Sequence, residues 1–302
     1  MKTINFFLAT VMVIGLVSCL RLDDNLFNQD NSIASYLWDE YRGEVDFVLD
    51  ESYAIPSNRI HLFTLQSQGA DESTPTAISA LYLGDLDRIA TDTVILYCHG
   101  NRDHMDFYWQ RAKLLANAGG KNRFGVLMLD YRGFGLSQGK PTEAGMYADV
   151  NAGLKWLQQN GLTNERLIAY GFSLGSAPAT EISAYPENYV LNPSKLILEA
   201  PFASSSVMVQ DASLLSLPSS YFTNVKVNNA DKIKNVQQPF LWLHGTDDGF
   251  LNIKTHGEVV FKNHGGNQSW PIRVQGADHG DVPEKMGFEA YNAALVQFIT
   301  GF

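Results

Sequence analysis

From Thr93 onward the chain alternates between short apolar runs rich in β-branched residues and longer segments with helical spacing. TVILYC (93–98) leads to FYWQRAKLLANAG (107–119), FGVLML (124–129) to MYADVNAGLKWLQQNG (146–161), and RLIAYG (166–171) to LGSAPATEISAY (174–185). KLILEA (195–200), FLWLHG (240–245) and WPIRVQG (270–276) continue the series, and GFEAYNAALVQFIT (287–300) closes it with a helix. Strands that are apolar at successive positions need cover on both faces, and the intervening helices supply it. The pattern therefore predicts an α/β fold with a mostly parallel sheet between two helical layers. Upstream, RIHLFTLQS (59–67) and AISALYLG (77–84) flank the turn-rich QGADESTP (68–75), which predicts an antiparallel hairpin leading into that sheet. SIASYLWDEY (32–41) is expected to form a short helix.

The rhythm breaks once. Pro201 to Pro239 is too long for a plain connection and includes SLLSLPSSYFTNV (213–225), apolar but irregular. A small cap over the C-terminal edge of the sheet, at about 201–238, is expected there, because open α/β folds bind ligands along that edge.

The N-terminus has a different character. Lys2 precedes a mostly apolar run from Ile4 to Val17, too short to span a bilayer comfortably and suited to a signal-peptide core. LVSC (16–19) resembles the bacterial lipobox, which implies lipidation at Cys19, with residues 1–18 removed as a signal peptide. A plain secretory signal and an uncleaved anchor are the alternatives. The polar LRLDDNLFNQDN (20–31) suits a flexible tether, taken as 19–35, ahead of a domain spanning 36–302. By resemblance to the sorting rule, the lack of Asp at position 20 points to the outer membrane. The expectation is an exported protein of the bacterial cell envelope, held to its membrane by a lipid anchor. The net charge of −10, scattered along the chain, argues against a nucleic-acid partner. Two cysteines are too few for a disulfide framework, and Cys98, inside an apolar run, reads as a buried hydrophobe. The oligomeric state has no sequence signal.

Chemistry concentrates around AYGFSLGSAP (169–178), where Gly171 and Gly175 flank Ser173 between a predicted strand and a predicted helix. The motif alone also describes an ordinary glycine-rich turn. On a strand-to-helix turn, however, it exposes the hydroxyl above the sheet, and the following helix N-terminus favours developing negative charge. A serine nucleophile needs a base, and the base needs an orienting acid. FLWLHGTDDGF (240–250) offers Asp247 and Asp248 just past one later strand, and IRVQGADHGDV (272–282) offers His279 past the next. The order serine, aspartate, histidine is thus met, each group beyond a strand's C-terminal end.

With YCHGN (97–101), LDYRGFGLSQGKPTE (129–143), GFSLGSAPA (171–179), LWLHGTDD (241–248) and the looser GADHGD (276–281), the chain resembles an α/β-hydrolase. More narrowly it is similar to the serine-hydrolase branch that includes the eukaryotic α/β-hydrolase-domain depalmitoylases. The likeness covers roughly residues 55 to 300. It implies Ser173 as nucleophile, His279 as base and, from His-Gly-x-x-Asp, Asp248 as acid. Gly249-Phe250-Leu251-Asn252 departs from the family run and keeps Asp247 open. The fold's oxyanion hole would use the backbone N–H groups of Leu174 and Asn101.

His99 and His244 precede glycines at strand ends and read as turn-shaping residues. His104, near the oxyanion loop, either touches substrate or is a solvated loop residue; Phe202 and Tyr221 are further candidate contacts. His61, His256 and His264 have no acid or nucleophile at suggestive spacing. No cluster has zinc-ligand spacing, DYRGFG (130–135) lacks the Lys-Ser/Thr pair of a phosphate loop, and neither metal nor cofactor is expected. Two rivals remain to a serine hydrolase acting on a small-molecule or acyl ester or thioester. One is a peptidase, which would need an acid such as Asp211 or Asp231 to hold a substrate amine. The other is a non-catalytic binding lipoprotein, against which an intact triad counts.

Overall fold

The computed structural model describes residues 27–213 and 226–301. Eight strands form one sheet: β1 (Ile60–Ser67), β2 (Thr76–Leu83), β3 (Val94–Cys98), β4 (Gly125–Leu129), β5 (Leu167–Phe172), β6 (Lys195–Glu199), β7 (Phe240–Gly245) and β8 (Ser269–Val274). Their order across the sheet is β1-β2-β4-β3-β5-β6-β7-β8. Pairings from β4 through β8 are parallel; β1 with β2 and β2 with β4 are antiparallel. This is the α/β-hydrolase fold, with the expected hairpin at one edge.

The helices are α1 (Met105–Ala116), α2 (Glu143–Gln159), α3 (Ser176–Ala184), α4 (Ser205–Ser213), α5 (Asn229–Lys232), α6 (Gly257–Asn263), α7 (Val282–Met286) and α8 (Phe288–Thr300). The two-residue side-chain period of the strands divides the core into two layers. Leu96, Leu127, Leu129, Ala169, Leu198 and Trp242 pack on one face with Val150 and Leu154 of α2 and Ile182 of α3. Their chain neighbours Ile95, Tyr97, Met128, Tyr170, Ile197 and Leu243 point to the other face and meet Trp109 of α1 and Tyr291 and Leu295 of α8. The inner strands β3, β4 and β5 are therefore apolar along their length because they serve both layers, whereas the edge strands β1 and β8 alternate buried and exposed positions.

Two expectations change in the N-terminal region. SIASYLWDEY forms only a 3₁₀ turn at Trp38–Glu40. The Leu37 and Trp38 N–H groups bind the Asp106 carboxylate at the start of α1, so they are spent on tertiary bonds. The last part of the expected tether is docked rather than free. Phe27 meets Phe134 edge-on, and Asn28–Gln29 pair in parallel with Arg102–Asp103. Residues 1–18 and Cys19 lie outside the described residues. Among the described residues no helix is long and apolar enough to cross a membrane.

Of the expected cap at 201–238, the structure describes the two flanks; Leu214 to Val225, Tyr221 among them, lie outside the described residues. The flanks meet through a bridge between Ser204 and Asn228. Beneath them His256, fully buried, accepts the Ala203 N–H at Nδ1 (3.0 Å) and faces Asp211 Oδ2 with Nε2 (3.3 Å). The Thr255 hydroxyl donates to the same Asp211 oxygen. His256 thus has the acidic partner that sequence spacing did not reveal, and it fastens α4 to the body.

Burial lowers the His256 pKa; the Asp211 charge opposes this, His244 adds to it, and Asp248 opposes it again. The unfolded histidine protonates near ~6.5, whereas the folded ring takes its proton at lower pH. Stability is therefore lost as pH falls below that value. Tm measured from pH 8 to 5 should decline through this window, and His256→Gln should flatten the decline. His264, also held down by burial, should retain part of it. Parallel Tm curves for parent and variant would remove His256 from the account.

Candidate active site

Ser173 follows β5 directly, on a 3₁₀ turn, Ser173–Gly175, that runs into α3. Its φ is +51°, a left-handed conformation that costs a non-glycine residue about 1–3 kcal/mol. Neighbouring packing holds it there. A Cβ on Gly175 would overlap the Cys98 carbonyl, and one on Gly171 would lie 2.6 Å from the Gly175 oxygen. The two glycines serve close approach, since neither has a positive φ. The Ser176 hydroxyl donates to the Ser173 carbonyl at 2.6 Å.

Three loops at the C-terminal ends of β5, β7 and β8 bring the sequence-predicted residues together. The Ser173 hydroxyl lies 2.9 Å from His279 Nε2, and His279 Nδ1 lies 2.9 Å from Asp248 Oδ2. An ionised carboxylate only accepts hydrogen bonds. Nδ1 therefore carries the proton and Nε2 is free to accept from the serine. Asp247 is exposed, and its carboxylate takes the Thr246 hydroxyl instead.

Asp248 is the best-satisfied group in the site. Its Oδ1 accepts the N–H groups of Phe250 (2.9 Å) and Leu251 (2.6 Å). Its Oδ2 meets His244 Nε2 at 3.1 Å as well as His279. Burial alone would raise its pKa, but hydrogen bonds from His244 and His279, the His279 charge and the Leu251 N–H hold it well below the usual carboxylate range. Sequence reasoning gave His244 a turn-shaping role and missed its approach to the acid. The His-Gly-x-x-Asp spacing was the available signal.

His279 is held from several sides. The Asp278 carboxylate accepts both the His279 N–H (2.8 Å) and the Gly249 N–H (2.9 Å), tying the β8 loop to the β7 loop. The rings of Phe172 and Phe250 flank the imidazole at 5.3 and 5.1 Å. Below lies a group that sequence reasoning did not identify. Buried Arg111 binds Glu199 at 2.6 Å, Asp46 at 3.0 Å and the Gly280 carbonyl, next to His279, at 2.9 Å. Its guanidinium also lies 4.1 Å above the Phe172 ring. Tyr170 and Tyr291 donate to the other Glu199 oxygen. Such a charge pair is tolerated in the core because every partner is supplied; removing one costs about 3–5 kcal/mol.

The loop carrying Asn101 begins where Cys98 pairs with Gly171, so the register sets it beside Ser173 and Leu174. His99 shapes its start. Its Nε2 is 3.1 Å from buried Asp130, its Nδ1 faces the Gly100 carbonyl at 2.8 Å, and its ring stacks on Tyr108. His104 fits neither sequence expectation. It is 1% exposed, caps α1 and lies edge-on to Tyr36 and Tyr41. Phe202 is buried in the core rather than open to a ligand, and Tyr221 is among the residues not described. Cys98 is buried, and burial pushes its thiol far up, which makes it inert. Among the described residues no group of three or more His, Cys, Asp or Glu side chains is placed to hold a metal ion.

A serine aminopeptidase S33 family model matches residues 90–238. Alpha/beta hydrolase domain-containing protein 17B of Homo sapiens is 30% identical over 209 residues, covering 68% of this chain and 66% of the human protein. The aho-3 protein of Caenorhabditis elegans, also an α/β-hydrolase domain-containing protein, is 28% identical, covering 62% of this chain and 52% of its own length. Among solved structures, the esterase Pf2001 of Pyrococcus furiosus superposes with a TM-score of 0.62 at 14% identity, covering 92% of this chain and 97% of that one. An α/β-hydrolase from Vibrio vulnificus superposes with a TM-score of 0.59 at 18% identity, covering 78% and 81%.

The two adjacent aspartates are separable by substitution. Asp248→Asn should slow hydrolysis of a p-nitrophenyl ester by about 10⁴ in kcat, because the amide favours the wrong imidazole tautomer. Asp247→Asn should cost less than about tenfold, having no bond to lose at His279. Reversed sensitivities in steady-state assays would transfer the role to Asp247.

Proposed function

We propose that this chain, which belongs to the α/β-hydrolase superfamily, is a serine hydrolase cleaving a carboxylic ester or thioester through an acyl-enzyme at the bacterial cell envelope. The observation that carries the reading is the unbroken run of 2.9 Å contacts from Ser173 Oγ through His279 to Asp248. The hydroxyl oxygen attacks the substrate carbonyl carbon while its proton passes to His279 Nε2. The carbonyl oxygen becomes an oxyanion, stabilised by the N–H groups of Leu174 and Asn101, and one such donor is worth about 2.7–4 kcal/mol. Asp248 stays ionised and stabilises the imidazolium. The tetrahedral species collapses, and the alcohol or thiol departs with the proton from His279. Water then repeats the sequence, giving up a proton to His279 as it attacks the acyl carbon, and Ser173 leaves with that proton as the acid is released.

Apolar groups border the nucleophile, which suits an acyl substrate. Phe250 is 59% exposed against the His279 ring. The peptidase reading needs an unengaged acid to hold a substrate amine. Asp211 is engaged by Thr255 and His256, and Asp231 by Asn228 and Lys234. The esterase named among the structural neighbours fits the same preference. Attachment to the membrane, with the outer membrane as its site, follows in this reading from lipidation of Cys19. More than one acyl chain is what makes such an anchor stable.

Ser173→Ala should leave Tm nearly unchanged, abolish labelling by a fluorophosphonate probe and reduce hydrolysis by several orders of magnitude. A panel of p-nitrophenyl esters, acyl thioesters and aminoacyl anilides should show ester or thioester turnover above anilide turnover. An alanine variant that hydrolyses at the parent rate would end the assignment.

Cys19→Ala should move the protein from the membrane to the soluble fraction or block its maturation. Equal membrane association of parent and variant would count against the anchor.

A further inference from the structure

The oxyanion donor at Asn101 belongs to a loop that the main sheet does not hold. β3 ends at Cys98, and the chain then turns through Gly100 to Asp103, where φ is +47°, left-handed for a non-glycine residue. On its inner side the loop is fastened by the Tyr108 hydroxyl, which accepts the Arg102 N–H at 2.8 Å. On its outer side it is fastened by the first described residues of the chain. The Asn28 N–H donates to Asn101 Oδ1 at 3.0 Å, and the Asp30 N–H donates to the Asp103 carbonyl at 3.0 Å. Between these bonds Asn28 and Gln29 lie in parallel register with Arg102 and Asp103. The Asp30 carbonyl accepts the Gly135 N–H at 2.8 Å, which ties the same segment to the turn after β4. Phe27 packs edge-on against Phe134, itself 5.7 Å from the His99 ring that starts the loop.

We infer that Phe27 to Asp30 form a strap that positions the Asn101 N–H, making Asn28 and Asp30 positioning residues for the reaction. The inference rests on the serine-hydrolase reading above. An oxyanion donor acts only if it points to where charge develops, and a displacement of about 1 Å at such a group costs on the order of 10²-fold in rate. The two strap bonds that end on the Asn101 loop both use strap N–H groups, those of Asn28 and Asp30. The strap also continues directly from the segment expected to carry the lipid anchor. The position of the oxyanion loop, and with it kcat, is therefore coupled to how the N-terminal segment is held.

Proline substitution tests this in the full chain, since it deletes the N–H of the substituted residue, and the changes of side chain and φ that come with it are confined to the strap. Asn28→Pro and the double variant Asn28→Pro/Asp30→Pro are compared with Asn28→Ala, which keeps the N–H. The readouts are kcat, KM, Tm and affinity for a trifluoromethyl ketone, whose tetrahedral adduct uses the oxyanion hole. The double variant should lose about 10- to 100-fold in kcat. Its affinity for the ketone should fall in the same proportion, while KM and the pH profile stay near those of the parent. Asn28→Pro should lose less, and Asn28→Ala should match the parent. Full kcat in both proline variants would overturn the strap. So would a loss confined to KM, or lower kcat with undiminished ketone affinity, because each places the effect outside the oxyanion hole. If the double variant fails to fold, Asn28→Pro decides by the same measurements. A parent chain that neither hydrolyses any panel member nor labels at Ser173 would instead remove the hydrolase reading and the strap's catalytic role with it.

Discussion

Everything at the site depends on how closely the Ser173 turn packs against the end of β3. A side chain at position 175 would overlap the Cys98 carbonyl, so glycine there lets two parallel strands and one helix meet with no gap. That contact stabilises the left-handed serine and sets the following helix behind it. It also places the Asn101 loop beside Leu174, because that loop starts at the same Cys98. One steric constraint thus determines where Ser173 stands and which backbone loop lies beside it.

The histidine is positioned by electrostatics rather than by packing alone. Its loop leans on Arg111 through the Gly280 carbonyl, and Arg111 is held by Glu199 and Asp46. Glu199 ends β6, two strands from β3, so a charge network buried under the sheet edge links the strand ends that carry serine and histidine. Above it, Asp248 accepts four hydrogen bonds or close N–H approaches and stays ionised despite its burial. A carboxylate so satisfied orients the imidazole firmly. His244 shares the carboxylate oxygen used by His279, so the acid is poised by two rings, with one of them fixed in the core.

Much of the fold could be read from hydrophobic rhythm because a parallel sheet covered on both sides leaves a simple trace: apolar runs separated by helices. Ser173, His279 and Asp248, the proposed nucleophile, base and acid, were legible for a related reason. Each stands just past a strand, where short motifs survive as contiguous letters. His104 and His256 were not legible in the same way. His104 sits in a loop rich in polar residues, yet Tyr36 and Tyr41, far upstream, bury it. His256 acquires Asp211 only when α4 folds back over α6. The polar segment before residue 36 read as a free tether because polarity is compatible both with solvation and with backbone pairing to another loop. Composition does not distinguish them.

By itself the sequence determined the layered α/β architecture, the hairpin at its edge, and the serine, aspartate and histidine just past the ends of three strands. These follow from local periodicity and from residues adjacent in the chain, which need no knowledge of distant contacts. Only the tertiary structure laid Asp248 rather than Asp247 against His279, because adjacent side chains on one loop point in different directions and the Asp248 carboxylate is held by the Phe250 and Leu251 N–H groups. It alone paired His244 with the acid, gathered Arg111, Glu199 and Asp46 beneath the histidine, and laid Asn28 along the Asn101 loop. Each of these contacts joins groups brought together by strand order and loop direction. Their energy comes from burial and hydrogen-bond geometry, which a linear reading does not contain.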